Sequence, residues 1–144
     1  MKSVETIRIA KRYRYLSDFA KETGWELPNG ILDKQITGAG ATHLAITDSH
    51  PTIIVSPRRD LIRNKCEQYD NLLWYEGDRT ANKDMDKFKA AVKAGIKNPK
   101  IIVTVDKFCR LLNDSNMPIA IYNWHIVVDE YHTIIRDIFY RENV

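Results

Sequence analysis

Long apolar runs are missing from this chain of 144 residues: no stretch approaches the roughly 20 consecutive apolar residues that cross a bilayer as a helix. The start of the chain, MKSVETIRIAKRYRY, also lacks the apolar segment of a secretory signal peptide. Cysteine is scarce, and Cys66 and Cys109 are expected to be small buried hydrophobic residues rather than a disulfide framework. These absences predict a cytoplasmic protein without a membrane partner.

Repeats, low-complexity tracts and linkers are absent too, so the chain is expected to fold compactly. Hydrophobic residues make up 44% of the sequence and charged residues 28%, a composition typical of a globular domain. The formal net charge of +3 would not repel nucleic acid, although it does not indicate nucleic-acid binding by itself. On charge alone, the two basic stretches at 11–15 and 58–65 are interpreted as solvated faces.

Short apolar runs alternate with helical segments along most of the chain. The runs predict strands at 30–36, 52–56, 72–76, 100–105 and 125–129. Several are apolar on successive residues, which is typical of strands buried on both faces of a parallel sheet. The other segments predict helices at 57–69, 79–95, 105–114 and 132–143, with Gly95 as a helix end. The pattern predicts an α/β fold with a doubly wound sheet, while the stretch before Trp25 fits a helix or a strand equally.

Ligands of such a sheet bind beyond the carboxyl ends of its strands, so the turns there carry the candidate sites. The first turn is TGAGAT, residues 37–42, between a predicted strand and HLAI, a predicted helix start. Its glycines would let backbone N–H groups approach phosphate oxygens, and the helix N-terminus favours an anion. Thr42 stands where a hydroxyl would bind Mg²⁺. The alternative is a tight turn that serves packing only.

A second candidate is VVDEYH, residues 127–132, at the end of the last predicted strand. Adjacent acids at the end of a buried strand are costly without a function or partners. Asp129 could hold Mg²⁺ through water, and Glu130 could orient or deprotonate an attacking water. His132 either couples this site to a neighbouring segment or is a surface or capping residue. A metal centre of His125, Asp129 and His132 is not expected, because strand geometry separates the first two.

Taken in order, four segments resemble the superfamily 2 helicases and translocases of DEAD/DExH type. QITGAGAT, residues 35–42, is similar to the phosphate loop A-x-T-G-x-G-K-T of that family, and PRRDL, residues 57–61, to its motif Ia, P-T-R-E-L. IVTVDKFCRLL resembles the motif Ib region, and VVDEYH the DExH box. The resemblance implies a P-loop, RecA-like three-layer fold with a mostly parallel central sheet and helices on both faces. It assigns residues 30–144 to a first RecA-like domain, incomplete at its C-terminal end, after an extension of uncertain structure at 1–29.

The resemblance also implies the roles of single residues. ATP and Mg²⁺ would lie between the loop and the acid pair, with Mg²⁺ at Thr42 and Asp129 and with Glu130 as the catalytic acid or base. The phosphates would be held by Thr37, Gly38, Ala39, Gly40, Ala41 and Thr42. The backbone of DNA or RNA would contact Arg58, Arg59 and Thr104. A second RecA-like domain is expected beyond residue 144.

Ala41 departs from the family, because it replaces the lysine that reaches the β- and γ-phosphates. Losing one such preorganised donor is expected to slow catalysis on the order of 10²–10³-fold. Lys34, on the strand before the loop, is the candidate catalytic replacement, although it could form a surface ion pair with Asp33. His43 is a poorer substitute.

Base recognition is also unlike that of the family, since no glutamine precedes Gln35. The upstream aromatic residues that could stack on a base are Tyr13, Tyr15, Phe19 and Trp25. Nucleotide preference is therefore open.

The sequence thus predicts the first motor domain of a nucleic-acid-dependent ATPase of helicase or translocase type. The alternative is a degenerate, non-hydrolysing domain that binds nucleic acid or a protein partner. A third interpretation, a doubly wound scaffold with fortuitous matches, is disfavoured by four motifs in the order and spacing of the family.

Overall fold

The computed structural model describes residues 6–32, 40–76 and 83–132. The chain divides into two compact units, Met1–Thr47 and Asp48–Val144. Residues 30–32, the described part of the first predicted strand, have no strand structure, and the rest of that strand lies outside the described residues. The last predicted helix also lies outside them beyond His132. The predicted boundary after residue 29 stays a prediction.

The first unit contains two helices that pack on each other, α1 (Leu16–Thr23) and α2 (Ala41–Thr47). Helix α1 settles the ambiguity of the stretch before Trp25. The Tyr15 N–H donates to the Asp18 carboxylate (3.2 Å), so an acid in the first turn satisfies a backbone group at the helix start. Gly24 ends the helix at φ 76°, with its N–H bonded to the carbonyl of Ala20 (2.8 Å).

The second unit is built on a sheet of four parallel strands in the order β2-β3-β1-β4. The strands are β1 (Thr52–Ser56), β2 (Leu72–Tyr75), β3 (Lys100–Thr104) and β4 (His125–Val128). Strand β1 is buried along its whole length, as predicted for a strand covered on both faces. The α/β class and the parallel sheet are therefore confirmed.

Three helices cover the sheet: α3 (Arg59–Gln68), α4 (Lys83–Lys93) and α5 (Val105–Asn113). A short 3₁₀ turn, Ile119–Ile121, precedes β4. The predicted end of α4 at Gly95 is confirmed, since this residue has φ 85° and its N–H bonds to the carbonyl of Val92 (3.0 Å). The Ile96 N–H bonds to the carbonyl of Ala91 (3.0 Å), which completes a Schellman motif.

The helices lie on both faces of the sheet. Helix α3 packs against β1, β2 and β3, with Ile62 fully buried. On the opposite face, α4 and α5 close a core formed by alternate strand residues and the helix residues Met85, Phe88 and Leu111. The strand residues of this core are Ile53, Val55, Tyr75, Ile101 and Val103.

Strand β4 differs from the sequence prediction of a strand buried on both faces. It lies at one edge of the described sheet and pairs with β1, while Ile126 is 45% exposed and Val128 47%. Its run of apolar residues looks the same in sequence as that of β1. Exposure is decided by the neighbouring elements, which the run itself does not encode.

A lysine is buried at the amino end of the sheet, where it has several polar partners. Lys100 is 2% exposed, and its ammonium group forms an ion pair with Asp48. It also donates to the carbonyl of His50 (2.6 Å) and to the hydroxyl of Thr52 (3.0 Å). Burial lowers the pKa of Lys100, and the hydrogen bond and charge of Asp48 oppose that effect. The imidazole of His50 stacks on that of His125 with 4.1 Å between ring centroids.

None of the helices within 6–32, 40–76 and 83–132 has the length and apolar character needed to span a bilayer.

Candidate functional site

The carboxyl end of the sheet has a topological switch point between β1 and β3. These strands are neighbours in the sheet, but the chain leaves β1 for α3 on one face and β3 for α5 on the other. In open α/β sheets, a crevice forms where the connections diverge in this way, and ligands bind there. The segment similar to motif Ia begins directly after β1, and the segment similar to motif Ib runs from β3 into α5.

Two hydroxyl groups lie side by side at the switch point. Ser56 and Thr104 are paired in register, so their side chains point to the same face of the sheet. Ser56 is 2% exposed, and its hydroxyl makes no hydrogen bond with any other residue within the described parts of the chain. A buried polar group without a partner is uncommon and costs free energy. Thr104, the predicted nucleic-acid contact, is the N-cap of α5 but its side chain does not cap the helix.

Sequence reasoning missed Ser56. The only signal was a hydroxyl residue at the end of an apolar strand, immediately before PRRDL.

The two predicted arginine contacts differ in their surroundings. Arg58 is the N-cap of α3 in an extended conformation, and its side chain is 63% exposed with only a long contact to Asp60 (3.8 Å). Arg59 is tied down along β2, because its guanidinium group pairs with Glu76 (2.9 Å) and lies 5.4 Å from the ring centroid of Trp74. Arg58 is therefore available to bind an anion at the switch point, whereas Arg59 would have to weaken or break its ion pair with Glu76 to do so.

The helices α3 and α5 both begin at this end of the sheet, each with an acid in its first turn, Asp60 and Asp106. The N-cap side chains of α3 and α5 make no capping hydrogen bond. The first N–H groups of a helix lack partners within the helix, and the helix dipole favours an anion near them. Two helix starts, Arg58 and two hydroxyl groups thus lie together at the ends of β1 and β3.

The acid pair follows β4, the strand next to β1. The Asp129 N–H donates to the carbonyl of Val55 (2.9 Å), which extends the pairing of β4 with β1 by one residue. Asp129 is half-buried. Glu130 has φ 52°, a left-handed conformation that is uncommon for a residue with a side chain and is enriched at functional sites. Its carboxylate contacts the Nε2 atom of His132 (3.2 Å), so the predicted catalytic acid and the predicted coupling residue are brought together.

The donor set suits Mg²⁺ in chemistry but does not form a complete cage. Among the described residues, no group of three or more histidine, cysteine or acidic side chains could hold a metal ion. Mg²⁺ characteristically takes one or two protein carboxylates and completes its shell with waters and substrate phosphates. Asp129 could supply such a carboxylate. The Mg²⁺ site predicted from Thr42 and Asp129 draws on both units and stays a prediction.

The phosphate loop is described only at its end. Lys34, Thr37, Gly38 and Ala39 lie outside the described residues. Helix α2 begins at Ala41, two residues earlier than predicted, so Ala41 and Thr42 are in its first turn. The carbonyl of Gly40 accepts the N–H of Leu44 (2.9 Å), which makes Gly40 the residue at the helix start.

Two features disfavour any residue other than glycine at position 40. Gly40 has φ 86°, and a Cβ atom added to it would lie 3.2 Å from the Cβ atom of Tyr15. Tyr15, one of the four upstream aromatic residues that sequence reasoning left open, thus lies against Gly40, and it is 41% exposed.

A separate cleft of about 290 Å³ runs beside β2 between α3 and α4. Its charged lining consists of Arg63, Lys87, Glu67, Asp70 and Asp84. Acids outnumber cations there, so the cleft is a poor match for a nucleic-acid backbone. Burial raises the pKa of the Cys66 thiol in this cleft to about 11, with smaller contributions from nearby carboxylates. Cys66 is therefore mainly a protonated thiol near neutral pH.

Comparison of the chain with protein-family models, curated proteins and solved structures finds no match.

Proposed function

We propose that this chain is the first motor domain of a nucleic-acid-dependent ATPase of helicase or translocase type, with a RecA-like fold. The observation that carries the proposal is the carboxyl end of its sheet. The ends of β1 and β3, with Ser56, Arg58 and Thr104, lie one strand away from the acid pair after β4, in which Glu130 has a left-handed backbone conformation. The four segments that resemble helicase motifs support the same function.

The crevice is assigned to the phosphate backbone of DNA or RNA. A phosphate oxygen would accept hydrogen bonds from the hydroxyls of Ser56 and Thr104 and from the first N–H groups of α3 or α5. Arg58 would add a charge-assisted contact from the rim. Such contacts position a strand without reading its sequence. Binding a phosphate would also satisfy the Ser56 hydroxyl, which lacks a partner among the described residues.

The acid pair is assigned to the nucleotide. Asp129 would hold Mg²⁺ through water, and bound Mg²⁺ would neutralise charge on the phosphates. Glu130 would take a proton from the water that attacks the γ-phosphorus, and ADP would leave as the bond to its β-phosphate oxygen breaks. His132, in contact with Glu130, would couple this site to a neighbouring segment. Phosphate binding by residues 37–42 and the replacement of the missing lysine by Lys34 belong to the same proposal.

The test is ATP turnover with and without a single-stranded oligonucleotide. We expect strand-stimulated hydrolysis that falls on the order of 10²–10⁴-fold in Glu130→Gln, because this removes a general base. Oligonucleotide affinity should be unchanged in that variant. Lys34→Ala should also lower turnover. Its matched control is Lys97→Ala, because Lys97 is an exposed lysine on the loop after α4.

A non-hydrolysing nucleic-acid-binding domain is the second candidate, and Ala41 is the observation that favours it. It predicts oligonucleotide binding that depends on Arg58 and Ser56, without any turnover above background. Turnover that is equal in the parent and in Glu130→Gln would rule out the enzymatic proposal and leave this one.

A further inference from the structure

The first unit carries four cations within seven residues, and three of them have no acidic partner among the residues that the structure describes. They are Arg8, Lys11, Arg12 and Arg14, and all are exposed. Arg12 pairs with Glu22 (3.4 Å). Within the described parts of the chain, no acidic side chain lies within ion-pair distance of Arg8, Lys11 or Arg14. The segment therefore presents concentrated positive charge that an external anion could neutralise.

Aromatic rings are interleaved with these cations. The guanidinium group of Arg14 lies 5.3 Å from the ring centroid of Tyr15, and that of Arg12 lies 4.8 Å from the ring centroid of Tyr13. Tyr13 is fixed from behind by an edge-on contact with Phe19 (5.5 Å), and its hydroxyl accepts a hydrogen bond from Arg12 (2.7 Å). The rings and guanidinium planes thus offer flat faces at defined positions.

The backbone leaves this segment accessible. Residues 6–15 form no helix or strand, and one turn is closed by the Tyr13 N–H on the carbonyl of Ala10 (3.1 Å). The end of the segment is held by α1, because the Tyr15 N–H is bonded to Asp18. The cations are therefore displayed on an anchored, irregular stretch rather than on a helix face.

Single-stranded nucleic acid combines the two features that this segment would recognise. Its phosphates are spaced along a flexible chain, and its bases are free to stack on aromatic or guanidinium planes. A duplex hides its bases, and an anionic membrane would use the charge but not the ring–guanidinium pairs. We propose that residues 8–15 of the first unit form a single-strand-binding surface, distinct from the crevice at the switch point of the second unit.

The test is the salt dependence of binding a fluorescent 20-nucleotide oligothymidylate, followed by anisotropy. For single strands, the slope of log K against log salt changes by about 0.7 for each phosphate neutralised. The triple variant Arg8→Ala/Lys11→Ala/Arg14→Ala should therefore lose about 2 from the magnitude of the slope, as three such contacts imply. The control Lys83→Ala/Lys93→Ala/Lys97→Ala removes the same charge from exposed lysines of the second unit and should keep the parent slope.

The outcomes separate this surface from the proposed function. An unchanged slope in the triple variant, with binding lost in Arg58→Ala/Ser56→Ala, would overturn the surface and leave the proposed function intact. Equal losses in the triple variant and in its lysine control would also overturn it, because only net charge would then matter. Binding to phosphatidylserine vesicles without oligonucleotide binding would reassign the cations to a lipid surface. Oligonucleotide-independent ATP turnover in the triple variant would still support the acid pair as a nucleotide site.

Discussion

Buried polar groups at the two ends of the β1–β3 ladder differ in whether they have hydrogen-bond partners. The first rung is Thr52 with Lys100 and the last is Ser56 with Thr104. Between them are three rungs of isoleucine and valine. At the amino end the buried ammonium group of Lys100 has a carboxylate, a carbonyl and a hydroxyl as partners. At the carboxyl end, an equally buried hydroxyl makes no hydrogen bond with the described residues.

This difference indicates that the polar groups at the amino end stabilise the fold, whereas the hydroxyl group at the carboxyl end is available for a ligand. A buried charge with good partners fixes the structure, since removing one partner leaves the other uncompensated. A buried hydroxyl without a partner costs stability, and this cost is accounted for if a ligand supplies the missing hydrogen bond.

The largest effect is expected from Asp48→Ala. It leaves the ammonium group of Lys100 buried without its counter-charge, which typically costs about 3–5 kcal/mol. The free energy of unfolding in urea at neutral pH measures this loss. The reference variant is Asp70→Ala, which removes an exposed acid of the second unit. A loss for Asp48→Ala no larger than that for Asp70→Ala would show that Lys100 does not depend on its partner.

At the carboxyl end of the ladder, Ser56→Ala should change stability and oligonucleotide affinity in opposite directions. Removing a buried hydroxyl without a partner is expected to raise the free energy of unfolding by about 1 kcal/mol. The same change should weaken oligonucleotide binding about tenfold, or about 1.4 kcal/mol, because a hydrogen bond to a phosphate is lost. Urea unfolding and anisotropy on the same protein measure the two quantities.

A matched control for this prediction is Thr52→Val at the opposite end of β1. Thr52 is as buried as Ser56, but its hydroxyl accepts from Lys100 (3.0 Å) and donates to the carbonyl of His50 (3.0 Å). That variant should lose stability and keep its affinity for the oligonucleotide. If Ser56→Ala instead loses stability, its hydroxyl has a partner in the folded protein and the crevice loses its main support.

Local patterns in the sequence identified most of the second unit. Strand β1 was predicted with its observed bounds from its run of apolar residues, and α4 ends at Gly95 because a glycine can adopt the left-handed conformation needed there. The exposure of β4 could not be predicted in the same way. His125–Val128 reads like a buried strand, and its place at the edge depends on the order of strands that are distant in sequence.

The candidate site shows the same limit. The family resemblance pointed to Arg58, Thr104 and the acid pair, and the structure has all of them at strand ends. It could not show that Glu76 would hold Arg59, or that the partner of Lys100 would be 52 residues away. Whether the hydroxyl of Ser56 is satisfied depends on groups brought together by the fold. Such pairings come from tertiary structure rather than from residue type or spacing.

The smallest effect is expected in the pH dependence of stability. Burial lowers the pKa of Lys100 below its ordinary value of 10.5, so the unfolded chain binds more protons between the two values. Stability from this group therefore rises with pH across that window and is constant below it. Cys66 acts in the opposite direction, because its pKa is raised from 9.0 to about 11 and the folded chain retains the proton longer. Comparing urea unfolding of the parent and of Lys100→Met from pH 7 to 10.5 cancels the contribution of Cys66. The parent should gain stability relative to the variant as the pH approaches 10.5; a constant difference would mean that the ammonium group at the amino end is not destabilised by its burial.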